Sequence, residues 1–460
     1  MANKQQVIGY LPDEKPPIWK LLLYAIQQVI VMFPATVAVA IITGFHISTT
    51  IFASGLATIC FLFVTGRQIP LYYGSSFSYV AAIAGLMSSE ALAGAVINEK
   101  IAVAQFGIVM SGFVSIIAGL IIKRFGRESI EKILPASITG PIAMVIGLTL
   151  AGTALTDAAS FNGAIAVADT QAQLAQNMAW IVSLVTLIST ILFSVYLKGM
   201  AGQLPLLLGP ILGCLAAFVI KLITGINLFK VLPAEVVNSG IFALPTFTLP
   251  QPSWMAVAAI MPIAIATIPE STAHVYQLDI YVNDLAKKKG TDKRYNIADK
   301  LGLNLVGDGI GDIVSGLVGG PAGTNYGENI SAMAITRVFS VPVLIAASIV
   351  AMIIACFTPL VNTIYSIPTA VIGGLEVYLF GAIAAQGVAI MVEKKVDLFS
   401  SKNIAVISTI MIIGLGGNYG FGGNIPFFGI EIPCVAGAAI FGILLNLILS
   451  IGSKKNVQNA

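Results

Sequence analysis

The sequence predicts an all-α polytopic membrane protein with 14 transmembrane segments in a 7+7 inverted repeat. Three observations lead there. Of the 460 residues, 57% are hydrophobic and only 10% are charged, with a mean hydropathy of +0.93. About a quarter of the residues of a soluble domain carry charge, so this chain cannot cover a water-facing surface, and its solvent is the lipid bilayer. Basic residues gather at alternate segment ends, and two short patterns recur in the same order in both halves. The net charge of +3 is too small to imply a nucleic-acid partner.

A helix crosses the hydrocarbon in about 20 residues. Lipid forces backbone groups to bond within the segment, so each span is expected to be helical. The polar N-terminus MANKQQVIGYLPDEKPPIWK lacks a basic-then-apolar signal pattern, which predicts no cleavage. The first seven spans run over 21–44, 48–66, 69–87, 101–122, 133–155, 178–197 and 203–225. The second seven run over 253–282, 301–319, 321–336, 341–363, 367–391, 403–417 and 425–452. Spans three and ten are short and interrupted by glycine and polar residues. The run GLGGNYGFGG (414–423) follows an apolar helix and reads as an external loop. Cys60, Cys214, Cys356 and Cys434 lie in apolar runs without metal-ligand spacing and read as packing residues.

With these spans, 21 of the 24 basic residues fall on one side, and only Lys100, Lys221 and Lys230 on the other. The positive-inside bias therefore predicts a multi-pass protein of the cell membrane with both termini cytoplasmic. Tyr73-Gly74-Ser75-Ser76-Phe77-Ser78 recurs as Tyr326-Gly327-Glu328-Asn329-Ile330-Ser331, and Leu134-Pro135 through Gly140 recurs as Ile367-Pro368 through Gly373. Seven is odd, so the second unit enters from the opposite face, a plan typical of secondary transporters. Interrupted segments at corresponding positions of the two halves point to the binding site, and these are spans three and ten.

Ionisable groups at bilayer depth mark the site candidates, because each costs at least about 2.5–3.5 kcal/mol on insertion scales. Glu270 and His274 are four residues apart in span eight and share a helical face, beside Pro269. A carboxylate accepts two hydrogen bonds from the N–H groups of a flat heterocycle, and an adjacent imidazole relays a proton or holds the carboxylate. A structural Glu–His pair is the alternative.

In PAGTNYGENISAMAITR (321–337), Pro321 and Gly323 disfavour a regular helix start. An extended Thr324-Asn325-Tyr326 leading into a half-helix at Gly327 leaves N–H donors for a ligand's carbonyl oxygens, with Glu328 accepting from ring N–H groups. Gly74-Ser75-Ser76-Phe77 offers the matching backbone from the other half, and Phe77 is placed to stack on a planar ring. An ordinary loop is the alternative, and it does not account for the recurrence. Asp308 and Asp312, one turn apart in GDGIGDIVSG, suit proton carriage. A plain hydrogen-bonding role for Asp308 toward span eight or ten competes with this, and Gly307 and Gly311 read as helix packing. Glu376 in span twelve either pairs locally or acts in transport. No G-x-x-x-x-G-K-[ST] or H-E-x-x-H pattern occurs, which speaks against ATP-driven pumping and zinc hydrolysis. No cofactor or metal is expected.

The motifs GSSFSYV (74–80), PESTAHVYQL (269–278), GDGIGDIVSGLVGG (307–320), TNYGENISAMAITR (324–337) and IPTAVIGG (367–374) resemble those of the nucleobase–ascorbate transporter family, also called nucleobase:cation symporters of the second type. Within it the chain looks most like the bacterial uracil permeases. The resemblance covers all fourteen segments, and the E-N-x-x-x-x-x-x-T-R frame of the tenth is intact through Thr336 and Arg337. It implies a core domain from 19–132 and 253–366 and a gate domain from 133–252 and 367–452, flanked by cytoplasmic tails at 1–18 and 453–460. It also implies short antiparallel strands in spans three and ten, each ahead of a half-helix. Glu270 and Glu328 would bind a pyrimidine ring, and the backbone N–H groups of Phe77 and Gly327 would meet its carbonyls, with Ser76 and Tyr326 flanking them. His274 would support proton coupling, with Asp308 as a further candidate. Departures from the family pattern add Gln27-Gln28 in place of Gln-His, Ser331 in place of glycine after Glu328-Asn329-Ile330, and acidic residues at Asp312 and Glu376.

The expectation is a non-enzymatic secondary transporter that imports a nucleobase, uracil first, by proton symport with an elevator-like movement of core against gate. Sodium is the alternative coupling ion, and a homodimer through the gate domain fits the resemblance. A xanthine or purine permease is the nearest rival, since purine-selective members commonly carry glutamine where Glu328 stands. An anion exchanger or channel of the same architecture is a rival of another class, disfavoured by an acidic site.

Overall fold

The computed structural model describes residues 9–126, 134–161, 171–199, 201–232, 240–428 and 430–457. Among them, eleven helices are long and apolar enough to cross a membrane. The exterior is apolar, with Ile223, Trp254 and Leu222 at 77%, 84% and 70% exposure, as lipid-facing side chains require.

Helices α1 (Ile18–Thr43) and α2 (Ile47–Val64) lead to strand β1 (Tyr73–Ser75), then α3 (Val80–Met87) and α4 (Ile97–Phe125). Then come α5 (Ala136–Thr149), α6 (Ala151–Ala158), α7 (Ala172–Tyr196) and α8 (Pro205–Thr224). The second half runs α9 (Trp254–Ile260), α10 (Ile263–Lys288), α11 (Leu301–Val318), β2 (Gly323–Asn325), α12 (Gly327–Thr336), α13 (Val341–Ala355) and α14 (Thr358–Tyr365). It ends with α15 (Thr369–Glu393), α16 (Ser401–Phe421), β3 (Asn424–Phe427), β4 (Ile430–Pro433) and α17 (Cys434–Val457).

Two sets of helices pack internally. In one, α4 lies against α11 and α9, and α13 against α1 and α2; in the other, α15 lies against α5, α6 and α7, and α16 against α5 and α17. The α4–α11 contact is built on glycine. A Cβ on Gly112 would stand 2.5 Å from the Gly309 carbonyl and one on Gly309 2.3 Å from that of Gly112. Two turns along, Gly119 and Gly302 repeat the arrangement at 2.5 and 2.7 Å. Two turns the other way, Gln105 donates to the Gly316 carbonyl at 2.5 Å. The seven-residue step on both antiparallel helices lets the backbones touch, the small-residue contact that holds helices together where lipid supplies no hydrophobic drive. Gly307 and Gly311 pack as expected, against Phe61 and Tyr73.

The predicted tail at 1–18 is not loose where it is described. Tyr10 bonds the Arg337 carbonyl and gives its own to Phe339, both at 2.8 Å, and Lys289 holds Glu14 at 2.6 Å. This strap ties the ends of α10 and α12.

Three expectations are corrected. The glycine-rich run 414–423 is not a loop: α16 continues to Phe421, and positive φ begins at Gly422 and Gly423. Gly414 and Gly417 are packing points, against Val145 and Cys434. The predicted last span begins too early, because 424–433 forms a hairpin, β3 pairing antiparallel with β4, in which Pro426 and Pro433 oppose helix. Span eleven is divided at Cys356 and Phe357, where Pro359 restarts the helix as α14.

Replacing Gly309 by valine should lower the melting temperature of detergent-purified protein, at a cost of roughly 1–3 kcal/mol or more from overpacking against backbone. Gly416→Ala, where nothing lies within 4 Å, should be neutral or stabilising by up to about 1 kcal/mol. Thermal melting of the two variants side by side checks the contrast.

Candidate functional site

β1 and β2 pair antiparallel, with Tyr73 opposite Asn325, Gly74 opposite Thr324 and Ser75 opposite Gly323. Flanking bonds extend the ladder, from Tyr326 N to the Tyr72 carbonyl at 3.0 Å and from Ser76 N to the Ala322 carbonyl at 2.9 Å. A pair this short is not stable alone, so side chains hold it. Ser54 and Thr58 of α2 donate to the Tyr73 carbonyl at 3.0 and 2.9 Å. Each strand's glycine lies under the other strand's tyrosine. A Cβ on Gly74 would meet the Tyr326 ring at 2.3 Å, and one on Gly323 the Tyr73 ring at 2.3 Å. The Tyr326 hydroxyl donates to the Ser75 carbonyl at 2.9 Å, and the Tyr73 hydroxyl donates to Asp312.

Each strand runs directly into a short helix. The first helical bond of α12 is Ile330 N to the Tyr326 carbonyl, so the N–H groups of Gly327, Glu328 and Asn329 lie at its open end. β1 passes through the single turn Phe77–Tyr79 into α3. Because the strands are antiparallel, α3 and α12 leave the ladder from its opposite ends and in opposite directions, and the Phe77 turn and α12 both pack against α10.

The two expected carboxylates converge there. Glu270 on α10 is half-buried, within hydrogen-bonding reach of Ser78 and beside Glu328 of the first turn of α12. His274, one turn after Glu270, reaches the Asn325 carbonyl, while its Nδ1 is buried without a partner among the described residues. Its Nε2 stands 2.9 Å from where a Cβ on Gly327 would lie, so this glycine makes room for the imidazole.

Behind this front, Asp308 accepts from Ser271 at 2.8 Å, Asn304 at 3.0 Å and Asn325 at 2.8 Å. It ties α10, α11 and β2 together. Asp312 faces the strands and accepts from Gly323 N at 2.8 Å as well as from Tyr73. Asn329 donates to Gln28 Oε1 at 2.9 Å and to the Gln28 carbonyl at 3.0 Å, joining α12 to α1, with Gln27 preceding on the same helix. Ser331 lies one turn into α12, half-buried, and Phe77 packs half-buried at the start of the α3 arm. Ser76 caps that turn, accepting from Ser78 N at 3.3 Å. Glu376 does not join the group; its charged neighbours are Asp157 and Lys230. Sequence reasoning missed Ser78, Tyr73 and Asn325 as individual site-building residues, although all three stand in or beside the recurring pattern. Among the described residues no group of three or more His, Cys, Asp or Glu side chains converges as a metal site.

A cavity of about 860 Å³ opens between α5, α10 and the end of α15, lined by Pro269, Thr272, Ala273 and Tyr276 and by Lys394 and Lys395 at its rim. It follows the face of α10 next to the one that carries Glu270 and His274, and the two carboxylates are not in its wall.

The chain is 35% identical over 439 residues to a "Uracil permease" of Bacillus caldolyticus, covering 95% of this chain and 94% of that one. It is 32% identical over 443 residues to the "Putative pyrimidine permease RutG" of Escherichia coli, covering 95% and 91%. Among solved structures, murine Slc26a9, an anion transporter in the inward-facing state, superposes with a TM-score of 0.64 at 13% identity, over 96% of this chain and 69% of that one. The transmembrane domain of the cyanobacterial bicarbonate transporter BicA gives 0.57 at 14% identity, over 94% and 98%. These two likenesses show the fold alone. The Permease family profile Xan_ur_permease matches residues 19–423, and the chain belongs to that family.

Proposed function

We propose that the protein is a secondary transporter that imports uracil by proton symport. The observation that carries this reading is the convergence of Glu270 and Glu328 beside two crossed backbone arms, with His274 against Gly327. A uracil ring has two N–H donors and two carbonyl acceptors. Two carboxylates answer the donors, and N–H groups at the open ends of α12 and of the Phe77 turn answer the carbonyls. The curated relatives named as uracil and pyrimidine permeases support the same substrate class.

A proton bound at Glu270 neutralises one of two adjacent carboxylates, and His274 assists its arrival. With proton and substrate aboard, the α1–α4 and α9–α14 set moves as a core against a gate formed by α5–α8 and α15–α17. The fourteen-span, 7+7 reading adds the shorter apolar helices Phe77–Met87 and Val341–Ala355, and α12, to the eleven long ones. Both termini are placed in the cytoplasm by charge bias, so the cavity with Lys394 and Lys395 at its rim opens inward. A dimer meeting through the gate completes the proposal.

Glu270→Gln and Glu328→Gln should each weaken uracil binding by about 10- to 150-fold, the loss of one charge-assisted hydrogen bond of roughly 1.5–3 kcal/mol. His274→Ala should impair pH-gradient-driven accumulation in proteoliposomes while uracil counterflow persists. Unchanged binding and accumulation in all three variants would overturn the assignment. Stronger competition by xanthine than by uracil would move it to the purine-type rival, and uptake that follows a sodium gradient would replace the proton.

A further inference from the structure

Glu376, in the second turn of α15, is 0% exposed, and neither of its carboxylate oxygens meets a hydrogen-bond donor among the described residues. Its charged neighbours are Asp157, near the end of α6, and Lys230, in the segment after α8. Two glycines create this closeness. A Cβ on Gly373 would lie 2.1 Å from Ala158 N, and one on Gly374 2.3 Å from the Ser183 carbonyl. α15 is thereby pressed between α6 and α7, which carries Glu376 against Asp157.

The other elements packed on α15 bring no charge to this point. α5 has no ionisable residue, Tyr196 of α7 stands at the far end of its helix, and Lys221 of α8 is exposed. On α15 itself Tyr378 pairs with Ser194 at 2.6 Å, and Glu393 is at the opposite end.

Two carboxylates and one ammonium leave a net negative charge around the fully buried Glu376, with Asp157 and Lys230 half-buried beside it, and a buried charge left uncompensated is strongly unfavourable. Carboxylate oxygens are all acceptors, so a direct hydrogen bond between Asp157 and Glu376 requires a proton on one of them. That proton would supply the donor Glu376 lacks and bring the cluster to neutrality. We propose that Asp157 and Glu376 hold one proton between them, balanced by Lys230, as an ion site separate from Glu270 and Glu328. The proton clamps α15 to α6, and its loss loosens that contact. The site does not depend on the identity of the transported base.

The test uses the full chain in nanodiscs without substrate. The wild-type melting temperature should fall as pH rises and the cluster becomes anionic. Glu376→Gln, which carries a permanent donor in nearly the same shape, should flatten that fall by several degrees, and Asp157→Asn should do likewise. In infrared difference spectra the protonated-carboxyl band lost at high pH should weaken in Glu376→Gln and Asp157→Asn, and Glu270→Gln should leave this component in place. A pH profile and band unchanged in both cluster variants would overturn the proposal. So would a wild-type protein that gains stability as pH rises, the reading that applies if neither variant folds. Stabilisation of the wild type by sodium at fixed pH, lost in Glu376→Gln, would also overturn it and make the ligand a metal cation.

Discussion

The fold turns on one constraint: extended backbone placed among membrane helices must find all its hydrogen bonds inside the protein. β1 and β2 meet it by pairing with each other. The remaining groups are taken up by Ser54, Thr58, Asp312 and the Tyr326 hydroxyl. Much of the surrounding architecture serves this crossing. α2 docks one strand, α11 supplies Asp308 and Asp312 behind the other, and α4 holds α11 in position through apposed glycines. Removing any one of these supports leaves buried polar groups unpaired, a cost of about 1–3 kcal/mol each.

The same constraint places the polar chemistry. A continuous helix spends its N–H groups on itself. A chain that crosses part of the span as strand and then begins a helix has donors left at the junction. Two such junctions packed on α10, with Glu270 and Glu328 beside them, bring donors and acceptors close together. Gly74 lies under the Tyr326 ring and Gly323 under the Tyr73 ring, so the two strands lock each other reciprocally. Gly327 extends the logic, since any side chain there would displace the His274 imidazole.

Much of this was legible in the sequence because membrane physics makes few demands and makes them strongly. Long apolar runs gave the crossing helices, and the repeated Tyr-Gly-x-x-x-Ser pattern gave the two interrupted segments. The rarity of buried charge singled out Glu270, His274, Asp308, Asp312 and Glu328. What a linear reading could not separate was glycine used for turns from glycine used for contact. The glycine-rich composition of 414–423 suggests a loop, yet in α16 Gly414 and Gly417 admit Val145 and Cys434. Nor did spacing distinguish the roles of Asp308 and Asp312. They are one turn apart, but one is surrounded by Ser271, Asn304 and Asn325 and the other faces β1 and β2, a difference set by elements far away in sequence. The partnership of Glu376 with Asp157 and Lys230 was hidden for the same reason.

We propose that the ligand binds at the strand crossing and not in the cavity beside it. A structure determined with uracil bound tests it most directly. The ring should lie between the Glu270 and Glu328 carboxylates, its carbonyls on the backbone N–H groups of Phe77 and Gly327. Ligand density confined to the cavity lined by Thr272, Ala273 and Tyr276, out of reach of both carboxylates, would contradict it.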